Sequence, residues 1–300
     1  NLDYIKSVAE TSDGGYIVGG DFESSSIDLG NGISLTNKDY SDYSVYSDGM
    51  IIKYNARGEV EWAEGIGGSD DDYIKSVAET SDGGYIVGGY FKSSSIDLGN
   101  GISLNKGSII YTDGMIIKYN ARGEVEWAEG IGGSDHDSIK TVAETSDGGY
   151  IVGGNFGSNS IDLGNGISLT NKGSSDGMII KYNATGEIEW AEGIGGTDSE
   201  QIESVAETSD GGYIVGGYFY SSSIDLGNGI SLTSKGSSDG MIIKLEKIER
   251  LTPTVEKAYG IGGTKDDRIT SVAGTSDGGY IVGGYFKSST IDLGNGISLT

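Results

Sequence analysis

The chain has 300 residues, with 20 Lys or Arg against 45 Asp or Glu, a formal net charge of −25, and it carries 54 glycines, one proline and no cysteine. This balance excludes a nucleic-acid or acidic-membrane partner, since phosphate binding needs a basic stripe. The missing cysteines exclude disulfide scaffolds, thiolate metal sites and thiol catalysis. Glycine without a Gly-X-Y period excludes collagen, and no apolar run reaches the ~18 residues of a spanning helix, so membrane insertion is not expected. Asn1 opens directly in repeat sequence with no signal-peptide pattern, as a mature product or an excised fragment would.

Repetition organises everything else. TSDGGYIVGG occurs five times, with its aspartate at Asp13, Asp82, Asp147, Asp210 and Asp277, in steps of 69, 65, 63 and 67 residues. DGMIIK begins at Asp48, Asp113, Asp176 and Asp239, and IDLGNGISL at Ile27, Ile96, Ile161, Ile224 and Ile291. GEVEWAEGIGG at Gly58 and Gly123 becomes GEIEWAEGIGG at Gly186, and a degraded fourth copy ends at Gly263. One supersecondary unit has been copied, with repeats starting near residues 1, 70, 135, 198 and 265 and the last truncated.

Within a unit, IKSVAET (Ile74 to Thr80) and YIVGGYF (Tyr85 to Phe91) are predicted strands joined by Ser-Asp-Gly-Gly, whose glycines supply the positive φ of a tight hairpin. GMIIKYN (Gly114 to Asn120) and EVEWAEG (Glu124 to Gly130) form a second hairpin across Ala-Arg-Gly. MII is apolar without alternation, as in a strand covered on both faces. EVEWAE alternates Val125 and Trp127 inward with Glu124 and Glu126 outward, where charge discourages edge pairing. Between the two hairpins, IDLGNGISL carries Asn-Gly, the strongest short hairpin signal, and predicts an extra hairpin. The variable stretches behind it, Asn37 to Tyr46 and Asn105 to Thr112, are expected surface loops.

Four antiparallel strands per unit, small residues (Ser76, Ala78) on the first and charge on the last, are the grammar of a propeller blade. The expectation is an all-β chain, a single β-propeller domain over residues 1–300 of about five blades. Five first hairpins and four second hairpins give 18 blade strands rather than 20, hence an incomplete or open ring, or one that a neighbouring molecule completes.

The stretch GGSDDDYIKSVAETSDGGYIVGGYF followed by SDGMIIKYNARGEVEWAEGIGG resembles the SBBP-type β-propeller repeat of bacterial and archaeal secreted or surface proteins. Its carriers are Gly67, Gly68, Asp70 and Asp72, the Asp-Gly-Gly-Tyr hairpin, the strand ending at Lys53, and Gly58 with Trp62. The resemblance implies an extracellular, non-catalytic propeller at a cell surface, with no catalytic residues to carry over. The chain departs from it in the inserted IDLGNGISL hairpin and in LEKIERLTPTVEK, where Lys257 replaces the tryptophan and Pro253 enters.

One acid precedes each first strand: Asp3, Asp72, Asp137, Glu200 and Asp267. Repeated about an axis, these oxygens suit Ca²⁺, the one metal expectation; turn capping is the alternative. A second acid, at Asp70, Asp135 and Asp198, is broken by Lys265. The DLGN segment lacks EF-hand spacing, because Leu29 and Ile33 stand where oxygen ligands are needed. Gly-Ile-Gly-Gly lacks the context of a phosphate loop. His136 is unique to one repeat and reads as a solvated surface group, since base catalysis needs a positioned partner. Glu59 and Glu61 recur as Glu124 with Glu126 and Glu187 with Glu189, which suits outer strands better than a glycosidase pair. Trp62, Trp127 and Trp190 read as core between blades. Tyr90, Tyr218 and Tyr285, with Asp21 and Asn155 at the equivalent positions, leave room for a binding surface. No enzyme is expected. Expected partners are a protein or glycan at a prokaryotic cell surface, met by repeated loops with avidity, or other copies of the chain joined head to tail.

Overall fold

The computed structural model describes residues 2–40, 45–107, 110–246, 253–294 and 297–300. Parts of the two variable loops, of LEKIERLTPTVEK and of the last IDLGNGISL tip lie outside the described residues. Among the described residues every element is a β-strand, and the chain divides into two compact units, Asn1–Glu144 and Thr145–Thr300.

The first unit holds two four-stranded antiparallel sheets. One runs Asp3–Glu10, Tyr16–Phe22, Asp48–Tyr54, Val60–Ile66; the other runs Asp72–Glu79, Tyr85–Phe91, Asp113–Tyr119, Val125–Ile131. The strand Asp137–Glu144 completes it. The second unit opens with Tyr150–Phe156, Asp176–Tyr182 and Ile188–Ile194, hydrogen-bonded in that order. It continues with Glu200–Glu207, Tyr213–Phe219, Asp239–Leu245, Val255–Ile261, and closes on the pair Asp267–Gly274 and Tyr280–Phe286. The chain is therefore all-β, built of repeated propeller-type blades. The described residues form the 18 blade strands expected, nine in each unit. The degraded copy still makes its fourth strand, with Lys257 opposite Lys244 where tryptophan stands in the others.

Short hairpins pair Ser26–Asp28 with Ser34–Thr36, and likewise in the second, third and fourth repeats, between the second and third blade strands. Their tips are tight because Gly30, Asn31 and Gly32 all take positive φ, of 81°, 52° and 77°, and the Ile33 N–H donates to Gly30 O at 2.9 Å. This is the mirror-image turn that Asn-Gly favours. The Asp28 carboxylate accepts from the Gly30 N–H at 2.9 Å and fixes the approach.

Third strands are buried along nearly their whole length, as the run of apolar residues requires. In the first unit a continuous core joins the two blades: Ile17, Ile51 and Ile66 pack with Ile74, Val77, Tyr85 and Met115. Each such side chain, fully buried, contributes roughly 2–3 kcal/mol. The paired glycines of YIVGG make this approach possible. A Cβ on Gly19 would meet Val77 Cγ1 at 2.6 Å, and one on Gly20 would overlap the Tyr4 carbonyl at the bulge between Ile5 and Ser7. One glycine yields to the next blade and the other to its own first strand. Two of the three tryptophans take the expected place between blades: Trp62 lies 5.6 Å from Tyr85 and 6.3 Å from Tyr119, ring to ring, and in the second unit Trp190 lies 5.7 Å from Tyr213.

Candidate interaction surface

The five acids expected to precede the first strands instead occupy each strand's first residue. Strand pairing starts earlier than IKSVAET suggests because these carboxylates staple the Gly-Gly turn to the end of the second strand. Asp72 Oδ1 accepts from the Lys92 and Ser93 N–H groups at 3.0 and 3.1 Å, and Oδ2 from the Gly68 N–H at 3.0 Å and Ser93 Oγ at 2.6 Å. Asp267 repeats the pattern with Lys287, Ser288 and Gly263. Glu200 accepts from Gly196 and Ser221, Asp137 from Gly133, and the exposed Asp3 from Glu23 and Ser24. Among the described residues no group of three or more His, Asp or Glu side chains is placed to hold a metal ion.

Beside the staple lies a second buried acid, the first residue of the third strand. Asp48 accepts from the Lys38 N–H at 2.8 Å through Oδ2, while its Oδ1 has no hydrogen-bond partner among the described residues. Asp176 and Asp239 repeat both features with Lys172 and Lys235 as donors, and Asp113 accepts instead from the Gly107 N–H at 2.8 Å, its Oδ1 likewise without a hydrogen-bond partner among the described residues. Burial pushes the Asp48 carboxyl up. Burial, with the Asp48 charge added and the Ser93 and Lys92 hydrogen bonds opposing, pushes Asp72 up to about 7.

A third layer is the buried lysine that ends each DGMIIK strand. Lys53 is 2% exposed, and its Nζ donates to Asp13 Oδ2 at 2.8 Å, to Tyr54 O at 2.9 Å and to Glu61 Oε2 at 3.2 Å. Lys118, Lys181 and Lys244 are held in the same way by Asp82, Asp147 and Asp210. This corrects the reading of Glu61, Glu126 and Glu189 as purely outward charge, since each carboxylate bonds a lysine beneath it. The Lys53 hydrogen bond, followed by those of Thr11 and Gly15, holds the Asp13 carboxyl well below its ordinary range.

The surface these supports carry is a groove between the fourth strand of one blade and the inserted hairpin of the next. In the first unit it is a cavity of about 340 Å³ lined by Lys38, Glu64, Asp97, Leu98 and Asn100; in the second, one of about 360 Å³ lined by Lys172, Glu192, Asp225, Leu226 and Asn228. The lysine N–H is tied to the buried third-strand aspartate, which sets the rim. Burial pushes the Glu192 carboxyl up, against the pull of Lys172. Each groove therefore offers one cation, carboxylates, an apolar leucine and an asparagine amide at a turn tip. A signal for it did exist, because the lysine recurs as Lys38, Lys106, Lys172 and Lys235 just behind the inserted hairpin.

His136 is exposed, with the Thr112 N–H 3.3 Å from its Nδ1 and Tyr111 edge-on at 5.0 Å. Tyr90 sits beneath Lys75 and Lys140 at 5.0 and 5.2 Å, and Arg268 covers Tyr218 at 4.0 Å. Asp21 is buried 3.8 Å from Lys6, Asn155 donates to Ser175 Oγ, and Tyr285 is exposed.

No family model matches the chain. It is 23% identical over 262 residues to the regulatory protein FlaEY of Caulobacter vibrioides, covering 83% of this chain and 27% of that protein. It is 24% identical over 236 residues to an uncharacterized WD repeat-containing protein of Acanthamoeba polyphaga mimivirus, covering 68% of this chain and 17% of that protein. The chain thus spans only about a quarter and a sixth of these relatives. Among solved structures it is similar to the Neurospora crassa Pan2 WD40 domain (TM-score 0.41, 12% identity, 96% of this chain and 74% of that one). It is also similar to Sqt1 from Chaetomium thermophilum (0.40, 10%, 90% and 64%).

Proposed function

We propose that the chain is a non-catalytic interaction module of the SBBP-repeat kind, acting in adhesion, ligand binding or spacing at a prokaryotic cell surface, with a protein or glycan as partner. The observation that carries this reading is the groove built twice, with lysine, glutamate, aspartate, leucine and asparagine at matching positions in each unit. Two weak identical contacts multiply by avidity when both are engaged, whereas catalysis calls for one constellation of acid, base and nucleophile. The test is binding of the intact chain to prokaryotic cells with Lys38→Ala, Lys172→Ala and both. The double variant should lose far more binding than either single one. Wild-type chain that fails to bind, or a double variant that binds undiminished, removes the reading. Ca²⁺ held by Asp3, Asp72, Asp137, Glu200 and Asp267 belongs to the same proposal: a higher Tm in calcium than in chelator supports it, and an unchanged Tm removes it.

A second reading, a structural subunit assembling head to tail, draws support from one contrast. Ile5 and Val8 are 54% and 60% exposed, while their counterparts Ile74 and Val77 are 0% and 5% exposed. Ile281 is 66% exposed and its counterpart Ile214 is 0% exposed. This reading requires a solution mass that rises with concentration.

A further inference from the structure

A glutamate at the end of one first strand repeatedly clasps the hairpin turn of the preceding repeat. Glu79 accepts from the Ser12 N–H at 2.8 Å and Ser12 Oγ at 2.9 Å. Glu144 takes the Ser81 N–H and Oγ, each at 2.8 Å, and Glu207 takes the Ser146 N–H at 2.6 Å and Oγ at 2.8 Å. In every case a serine presents its backbone N–H and its hydroxyl to one carboxylate, on separate oxygens at Glu79 and Glu207, and at Glu144 with the hydroxyl on Oε1 and the N–H shared between Oε1 and Oε2 at 2.8 and 2.9 Å.

The next serine in this series is Ser209, and the residue that should reach it is Gly274. Ser209 is exposed and makes no hydrogen bond among the described residues. A cavity in the second unit, walled by Ser209, Gly211, Gly274, Thr275 and Ser276, occupies the place where the missing side chain would lie. The strand itself keeps the gap open, because a Cβ on Gly274 would lie 2.7 Å from the Glu207 carbonyl oxygen. Glu207 and Asp210 also line the cavity, but the Glu207 carboxylate is engaged by Ser146 and that of Asp210 by Lys244. At the Ser146 turn the same neighbourhood already accommodates a carboxylate, with Asp147 beside it on Lys181.

We propose that Ser209 is an open carboxylate-binding site, its N–H and Oγ–H taking a carboxylate supplied from outside the unit in place of the glutamate that Gly274 lacks. A small organic acid and a glutamate side chain of a partner protein share this chemistry. The geometry asks for a bidentate acceptor, one oxygen on the amide and one on the hydroxyl, so a halide does not substitute for it.

The test is a titration of the uniformly ¹⁵N-labelled full chain with sodium acetate, against sodium chloride at matched ionic strength. The Ser209 amide should shift saturably with acetate alone, while the Ser12, Ser81 and Ser146 amides, already clasped, stay in place. Ser209→Ala, an exposed change that leaves the fold untouched, should raise the acetate midpoint about tenfold, as loss of one charge-assisted hydrogen bond does. A parallel titration with N-acetylglutamate N-methylamide separates the two sources. A lower midpoint than acetate assigns the site to a partner's glutamate, and an equal one to a free carboxylate. A Ser209 amide that moves no more than that of Ser146, or a midpoint unchanged in Ser209→Ala, overturns the proposal.

Discussion

Lys118 Nζ lies 2.9 Å from Asp82 Oδ2, although the lysine side chain is 1% exposed and the aspartate 57% exposed. The contact ties the third strand of a blade to the turn of its first hairpin, and the Tyr119 carbonyl and Glu126 carboxylate complete the ammonium's partners at 3.0 and 3.2 Å. A buried ammonium is tolerated only while these acceptors surround it. Removing both carboxylates with Asp82→Asn and Glu126→Gln should therefore cost about 3–5 kcal/mol, the range for a buried charge left unpaired. Lys118→Met, which removes the charge and keeps the stem, should cost less than that pair. Urea midpoints of the three proteins check the order; a Lys118→Met that is worse than the double variant would contradict it.

Stability should peak in mildly acidic solution. Burial raises Asp82, but hydrogen bonds from Thr80, Lys118 and Gly84 outweigh it and hold the carboxyl near about 2, below the ordinary 3.8. A depressed carboxyl stabilises the fold above its unfolded value, and that contribution is lost as pH falls from 3.8 to about 2. Asp72 acts in the opposite sense. Its folded value of about 7 lies above 3.8, so its contribution is full below 3.8 and declines as pH rises to about 7. Melting temperature against pH should fall on both sides of pH ~4. Asp82→Asn should flatten the acid limb, and Asp72→Asn the limb toward neutrality. Unchanged slopes would remove both assignments.

Gly88→Ala should destabilise by about 1–3 kcal/mol through overpacking, because its Cβ would meet Val142 Cγ1 at 2.5 Å and Ile139 Cγ2 at 2.8 Å. At the matching position of the last pair, a Cβ on Gly283 would have Ser271 Cβ nearest, at 3.9 Å. Gly283→Ala should therefore stay within about 0.5 kcal/mol of wild type. Thermal melts of the two variants give the comparison directly, and equal effects would mean that the glycines are not there for blade contact.

Much of this was legible in the residues. Asn-Gly at Asn31 and Asp-Gly-Gly at Asp13 name their turns because few residues tolerate the positive φ those turns demand. The unbroken MII of the third strand announces burial on both faces, and Trp62 on an alternating strand announces the contact with the next blade. The lysine after MII was not legible in the same way. A lysine at a strand end reads as a charge reaching water, and only the fold brings Asp13, 40 residues away, over Lys53. Glu61 misleads for the same reason, since alternation says which face a side chain leaves from and not what waits there. Asp72 was visible as a recurring acid, but its role as a staple depends on Ser93, which lies just past the end of the neighbouring strand Tyr85–Phe91.

Loss of a clasp should loosen its turn without unfolding the blade. Glu144→Ala removes the bonds from both Ser81 donors, N–H and Oγ–H, and should cost about 1–2 kcal/mol, the lower part of the range for bonds to a charged group because the site is exposed. The Ser81 amide should then exchange its hydrogen faster, while third-strand amides such as that of Ile116 keep their protection. Uniform acceleration across the blade would show that the clasp is part of the global fold rather than a local tie.

The interaction-module account stands most directly on the solution mass of the chain, measured by light scattering over a wide concentration range. A constant mass near 31.2 kDa is the predicted result and leaves the paired grooves to bind other molecules. A mass that climbs with concentration would contradict it, and would make the faces carrying Ile5, Val8 and Ile281 contacts between copies of the chain.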